Sequence, residues 1–142
     1  MNKLQKGQSL MELLIAMGVF VMIISAIIFL IIDSYTIHRL GREETIAVFL
    51  AEEGLEAVRS IRDSNWNDLQ DGNYGLAISG RKWIFQGSEE DLSDALKQGK
   101  RVITISTIDA DKKEIKSKIT WEFKENRSQE IILITYLTNW VK

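Results

Sequence analysis

Residues 13–32, from Leu13 to Ile32, carry no charge. As a helix rising about 1.5 Å per residue, an uncharged run of this length spans roughly the 30 Å hydrocarbon core of a bilayer. Apolar positions continue at Ile37, Leu40, Ala47, Phe49 or Leu50, Ala51, Leu55, Val58 and Ile61. Their steps are mostly three or four residues, the spacing of one helical face. Glu43, Glu44, Glu52, Glu53, Glu56, Arg59 and Arg62 fill much of the rest. The pattern predicts helix over residues 8–63, apolar all round at first and amphipathic afterwards, stopped by the turn-forming Asp63-Ser64-Asn65. Gly41 and Gly54 fall inside it, each costing about 1 kcal/mol relative to alanine. Gly41 reads either as a flexible point in one helix or as a loop joining two. Gly54 reads as a place where another element packs closely.

Beyond Asn65 the period changes from helical to two. Residues 74–79 and 82–86 predict a hairpin around Ser79-Gly80-Arg81, and residues 102–108 are rich in Ile, Val and Thr. Ile115, Ile119, Trp121 and Phe123 share one face of a strand, with Ser117 breaking the apolar series and Lys118, Thr120 and Glu122 opposite. Residues 130–137 predict a final strand. Short polar turns at residues 109–113 and 124–128 make the last three strands an antiparallel meander. The amphipathic segment over residues 45–61 is the long element available to cover its apolar face. Residues 88–99 predict a short helix or loop, with Ser88 as cap, Asp91 three residues on and Gly99 as terminator. The fold class expected is α+β, a long N-terminal hydrophobic helix packed on a small C-terminal antiparallel sheet.

The chemistry is concentrated where the apolar run begins. Lys6-Gly7-Gln8-Ser9-Leu10-Met11-Glu12 leads directly into it. A carboxylate inside a membrane segment is costly, about 2.5 kcal/mol or more at the centre and less toward the rim. Lys6-Gly7, then Gln8, then Glu12 as the fifth residue after the glycine, then a long apolar helix, resembles the class III signal of type IV pilins and pseudopilins. That resemblance implies a leader of residues 1–7, cut between Gly7 and Gln8 by a prepilin peptidase that also methylates the new amine. It assigns residues 8–32 to a transmembrane and filament-core helix, 33–65 to an amphipathic extension and 66–142 to an extracytoplasmic sheet domain. Glu12 becomes the assembly residue, pairing with the amine of a neighbouring subunit. The implied partners are other pilin subunits in a helical filament, the peptidase/methyltransferase, an inner-membrane assembly platform and membrane lipid. Gln8 stands where the family usually has phenylalanine, and Phe29 where many major pilins have proline. These departures favour a minor pilin or pseudopilin over a major pilin. Motility, adhesion, DNA uptake and secretion, including type II secretion, all use such subunits.

Composition adds bounds. The chain has 142 residues, no cysteine, no proline and a formal net charge of −2. Its length suits one extramembrane domain, and no disulfide, zinc site or thiol nucleophile is available. The charge gives no sign of a general nucleic-acid binder, local basic patches apart. Lys3 and Lys6 before the apolar run place the N-terminus inside and the chain from about Asp33 outside.

No catalytic set, cofactor or metal is expected. His38, the single histidine, reads as a surface or headgroup-level residue. Asp109, Asp111 and Glu114 have the look of a calcium loop but lack its glycine and further oxygens, so a polar turn is the reading. The acids Glu43, Glu44, Glu52, Glu53 and Glu56 read as a solvated face, with partner recognition the rival. Trp66, Trp83, Trp121 and Trp140 read as core, with a stacking surface for carbohydrate or DNA the rival. The whole is that of a structural filament subunit rather than an enzyme. The alternative is a single-pass membrane anchor that does not polymerise and binds a ligand through its extracytoplasmic domain.

Overall fold

The computed structural model describes residues 3–140, with side chains from Leu10 onward. It contains one long helix, α1 (Lys3–Ser64), a 3-10 turn (Trp66–Asp68) and seven strands: β1 (Gly72–Tyr74), β2 (Leu76–Ser79), β3 (Lys82–Phe85), β4 (Glu90–Asp91), β5 (Lys100–Asp109), β6 (Lys112–Lys124) and β7 (Arg127–Thr138). The chain divides into two compact units, one ending at Leu40 and the other beginning at Gly41. The α+β layout of a long apolar N-terminal helix followed by a small antiparallel sheet is therefore present.

Helix α1 runs through Gly41, so the second helix that a loop there would have created does not form. Thr45 helps here, its hydroxyl donating to the Gly41 carbonyl at 2.8 Å. The helix stops where Asp63-Ser64-Asn65 predicts. Asn65 is extended and its side chain accepts from the Asn67 amide, which diverts the backbone into the 3-10 turn.

The unit from Gly41 onward is built on the meander. Strands β5, β6 and β7 pair antiparallel in sequence order, through two-residue turns at Ala110-Asp111 and Glu125-Asn126. Asn126 has φ 59°, a left-handed value that asparagine tolerates. On the far side of β5, β1 pairs with Ile103–Ile105 and β4 with Lys100 and Arg101. Strands β2 and β3 form a separate hairpin whose turn residues Gly80 and Arg81 have φ 57° and 64°. Two positive φ values make this the primed turn that suits a two-residue hairpin.

One expectation fails locally and one open alternative is decided. The strand read over residues 74–79 is split at Gly75, so that Tyr74 pairs in the large sheet and Leu76 onward in the hairpin. The cause is a backbone crossing: a Cβ on Gly75 would stand 2.5 Å from the Glu89 carbonyl oxygen and 2.6 Å from that of Gln86. Of the helix or loop expected over residues 88–99, the loop forms. Asp91 accepts from both the amide and the hydroxyl of Ser93, and Glu90–Asp91 is drawn into pairing with β5. Leu92 and Leu96 of this loop pack against the core.

The amphipathic part of α1 does cover the meander. Leu55, Ala57, Val58 and Ile61 pack with Ile103, Ile105, Ile115 and Leu137, and Ala47 and Ala51 with Ile119 and Trp121. Small side chains line much of the helical contact, which draws the backbones together. Gly54 extends this: a Cβ there would meet Ser117 Oγ at 2.8 Å, Arg101 Cδ at 3.0 Å and Ile103 Cδ1 at 3.2 Å.

Candidate functional site

The segment that the sequence marks as functional lies in the first unit. Eighteen large apolar side chains between Leu10 and Ile32 are exposed, from 39% at Ile24 to 75% at Met22. Leu13 and Ile32, which bound the uncharged run, are both among them. Soluble monomers rarely leave an apolar patch of more than a few hundred Å² uncovered. Helix α1 is long and apolar enough near its N-terminus to cross a membrane. The hydroxyls in and just after this stretch are satisfied within the helix. Ser25 donates to the Val21 carbonyl at 2.8 Å and Thr36 to that of Ile32 at 3.0 Å. That removes the main cost of taking them into hydrocarbon, where no water is present to pair them.

Glu12 is exposed on α1, the one ionisable side chain from Leu10 to Ile32. Gly7 and Gln8 fall within the helix, but their side chains lie outside the described residues. Tyr35 and His38 follow the apolar run and, with Ile27, Leu30, Ile31 and Ser34, line a shallow groove on the helix surface. An amphipathic ring there suits the headgroup level of a bilayer.

In the second unit the acidic face is put largely to internal use. Glu43 accepts from the Trp121 indole at 3.1 Å, and Glu56 pairs with Arg59 at 2.9 Å. Glu53 pairs with Arg101 at 3.1 Å, while Glu44 and Glu52 are exposed. Arg101 is the residue that the sequence reading missed. It is 1% exposed, beneath α1, where it donates to Glu90 at 2.7 Å and to the Leu50 carbonyl at 2.8 Å. Its guanidinium also lies 5.9 Å from the Trp83 ring centroid. The available signal was parity, because Arg101 occupies the same alternate positions of β5 as Ile103 and Ile105.

The remaining candidates disperse. Glu114 points to the solvent face of β6, held by Lys116 at 2.8 Å and accepting from the Tyr136 hydroxyl at 3.3 Å. Its pKa is lowered, first by the Lys116 hydrogen bond. Asp109 ends β5 and Asp111 lies in the turn that follows, and among the described residues no three His, Cys, Asp or Glu side chains gather to hold a metal. Trp121 is core, Trp66 and Trp83 are half-buried, and Trp140 is exposed with Arg62 stacked 5.5 Å from its ring centroid. Trp66 and Trp140 share a small polar recess at the end of α1 with Asn65, Asn67 and Asn139. A last feature is a groove between α1 and β7, lined by Phe49, Glu52, Leu55, Glu56, Leu133 and Ile134.

No family model, no curated protein and no solved structure matches the chain.

Proposed function

We propose that this chain is a structural subunit, a minor pilin or pseudopilin, of a type IV pilus-like filament. The observation that carries the reading is a single carboxylate, Glu12, at the start of a helix whose apolar side chains from Leu10 to Ile32 are all left exposed. Such a surface is covered first by lipid and later by the same helix of neighbouring subunits. Prepilin peptidase would cut between Gly7 and Gln8 on the cytoplasmic side, creating an amine about one helical turn from Glu12. Each charge alone is penalised in hydrocarbon. The amine of one subunit beside Glu12 of the next relieves both penalties, and only in the assembled register. Helix packing in the filament core supplies the rest of the cohesion. The chain is the peptidase's substrate and does no chemistry of its own.

The test is the intact mass of the protein from membranes of cells with and without a prepilin peptidase. Loss of residues 1–7 only where the peptidase is present supports the reading, and one further methyl mass identifies Gln8 as the modified residue. A full-length chain in both membranes overturns it and leaves a single-pass anchor with a ligand-binding outer domain.

A further inference from the structure

Strand β7 ends the large sheet. It pairs with β6 along one side, and among the described residues no strand pairs with the other. Twelve residues long, it contains only two charged side chains, Arg127 and Glu130, and no lysine, proline or glycine. Natural sheets protect such edges with short strands, inward charges, proline or a covering element. On its solvent face Ile132, Ile134 and Tyr136 stand about half exposed beside Lys118, Lys116 and Glu114 of β6. On its other face the strand borders the groove made with α1. Phe49, 65% exposed, forms the apolar part of that groove with Leu55 and Leu133. Along its helical rim Glu53 is paired with Arg101 and Glu56 with Arg59, which leaves Glu52 as the net acidic charge.

We propose that the β7 edge is a strand-addition site for an extended segment of a partner protein, one that alternates apolar with basic side chains. An added strand points successive side chains to opposite faces. Those on the outer face meet Ile132, Ile134 and Tyr136 and are apolar. Those on the helix face enter the groove, where the stem of a lysine or arginine lies on Phe49 and its cation reaches Glu52, with Glu56, already paired with Arg59, beside it. Charge selects this occupant over a second copy of the chain. Antiparallel pairing of two β7 strands about Leu133 keeps both helix faces on the same side, so that the acidic rims converge and repel. The proposal does not depend on the filament reading, because the edge and groove lie wholly within the unit from Gly41 onward.

The experiment uses the full chain in nanodiscs and three labelled peptides of about ten residues: alternating valine and lysine, alternating valine and glutamate, and the valine-lysine peptide N-methylated at every second amide. Binding is read by anisotropy against empty nanodiscs, and its location by hydrogen exchange of the β7 amides. The valine-lysine peptide should bind more than about tenfold tighter than either control, weaken with salt and slow exchange along β7. The double variant Glu52→Lys, Glu56→Lys should reverse the preference toward the glutamate peptide. Equal binding of all three peptides, no binding, or binding without β7 protection overturns the proposal. Concentration-dependent protection of β7 in the absence of peptide also overturns it, and assigns the edge to a second copy.

Discussion

Gly54 of α1 sits against Ser117 of β6 so closely that a Cβ on the glycine would lie 2.8 Å from the serine hydroxyl oxygen. Each residue breaks a pattern in its own element. The glycine interrupts a helical face, and the serine interrupts an apolar series of alternate positions. Together they are one feature, the point where helix and sheet approach with almost no side chain between them. Ser117 is fully buried and its hydroxyl finds no hydrogen-bond partner among the described residues, a cost tolerated because a larger apolar side chain would not fit.

Gly54→Ala should therefore destabilise the unit from Gly41 onward by about 1–2 kcal/mol, although alanine is the better helix former by about 1 kcal/mol. Gly54→Val should cost more. Gly41→Ala is the control, since nothing lies within 4 Å of a Cβ built there. It should stabilise by about 0.5–1 kcal/mol. Thermal unfolding of the three variants in one detergent gives the comparison, and equal shifts at the two glycines would refute the close approach.

Arg101 joins three elements through Glu90 of β4, Glu53 of α1 and the Leu50 carbonyl. Arg101→Ala removes the cation and leaves Glu90, itself only partly exposed, without its ion pair. The expected loss is about 3–5 kcal/mol. Arg101→Lys should not recover it, because an ammonium cannot hold carboxylates and a helix carbonyl in one planar fork. Arg101→Met, which keeps the volume without the charge, should fall between wild type and alanine when paired with Glu90→Gln. Denaturant midpoints for the series measure the ordering.

Acid should unfold the sheet unit through named carboxylates. The Thr107 hydrogen bond first, then Lys113, hold Asp71 below the ordinary aspartate value. Lys97 does the same for Glu122, whose backbone neighbour Asn126 adds to it. A carboxyl whose folded pKa is depressed contributes stability that is complete above the unfolded value near 4 and is lost as pH falls through the folded value. The unfolding midpoint should thus be steady around pH 6 and fall below about pH 4. Asp71→Asn should lower it at neutral pH and flatten the acid limb, so that the two curves converge. Lys100 and Lys116 are raised by Glu89 and Glu114 respectively. Their contributions should persist to alkaline pH and be lost only above about 10.4.

Under the filament reading proposed above, Glu12→Ala should separate processing from assembly. The cut between Gly7 and Gln8 should proceed, whereas the variant should disappear from sheared filaments and accumulate in membranes. Intact mass and immunoblots of the two fractions report both steps. Normal incorporation of the variant would remove the charge pair from the account.

Local pattern alone determined the elements whose side-chain period is set by burial on one face. Residues 13–32 read as apolar helix because no charge interrupts them, and β5, β6 and β7 read as a meander because their alternation is regular and their turns short. The junction of Gly7, Gln8 and Glu12 is read from spacing along the chain alone, and its role stands as the proposal made above. Tertiary structure decided what depends on a neighbour distant in the chain. The Glu89 and Gln86 carbonyls crossing at Gly75 split one predicted strand, and pairing of Glu90–Asp91 with β5 decided against helix where residues 88–99 left helix or loop open. Parity with Ile103 and Ile105 puts Arg101 on the inward face of β5, but what compensates its charge there was not legible, because the partners come from residues 50, 53 and 90. Nor was the open edge of β7, which exists only because the strand order ends there. Periodicity records which face of an element is dry, whereas a close approach, a buried ion pair or an unpaired edge is a property of two elements and is written in neither one.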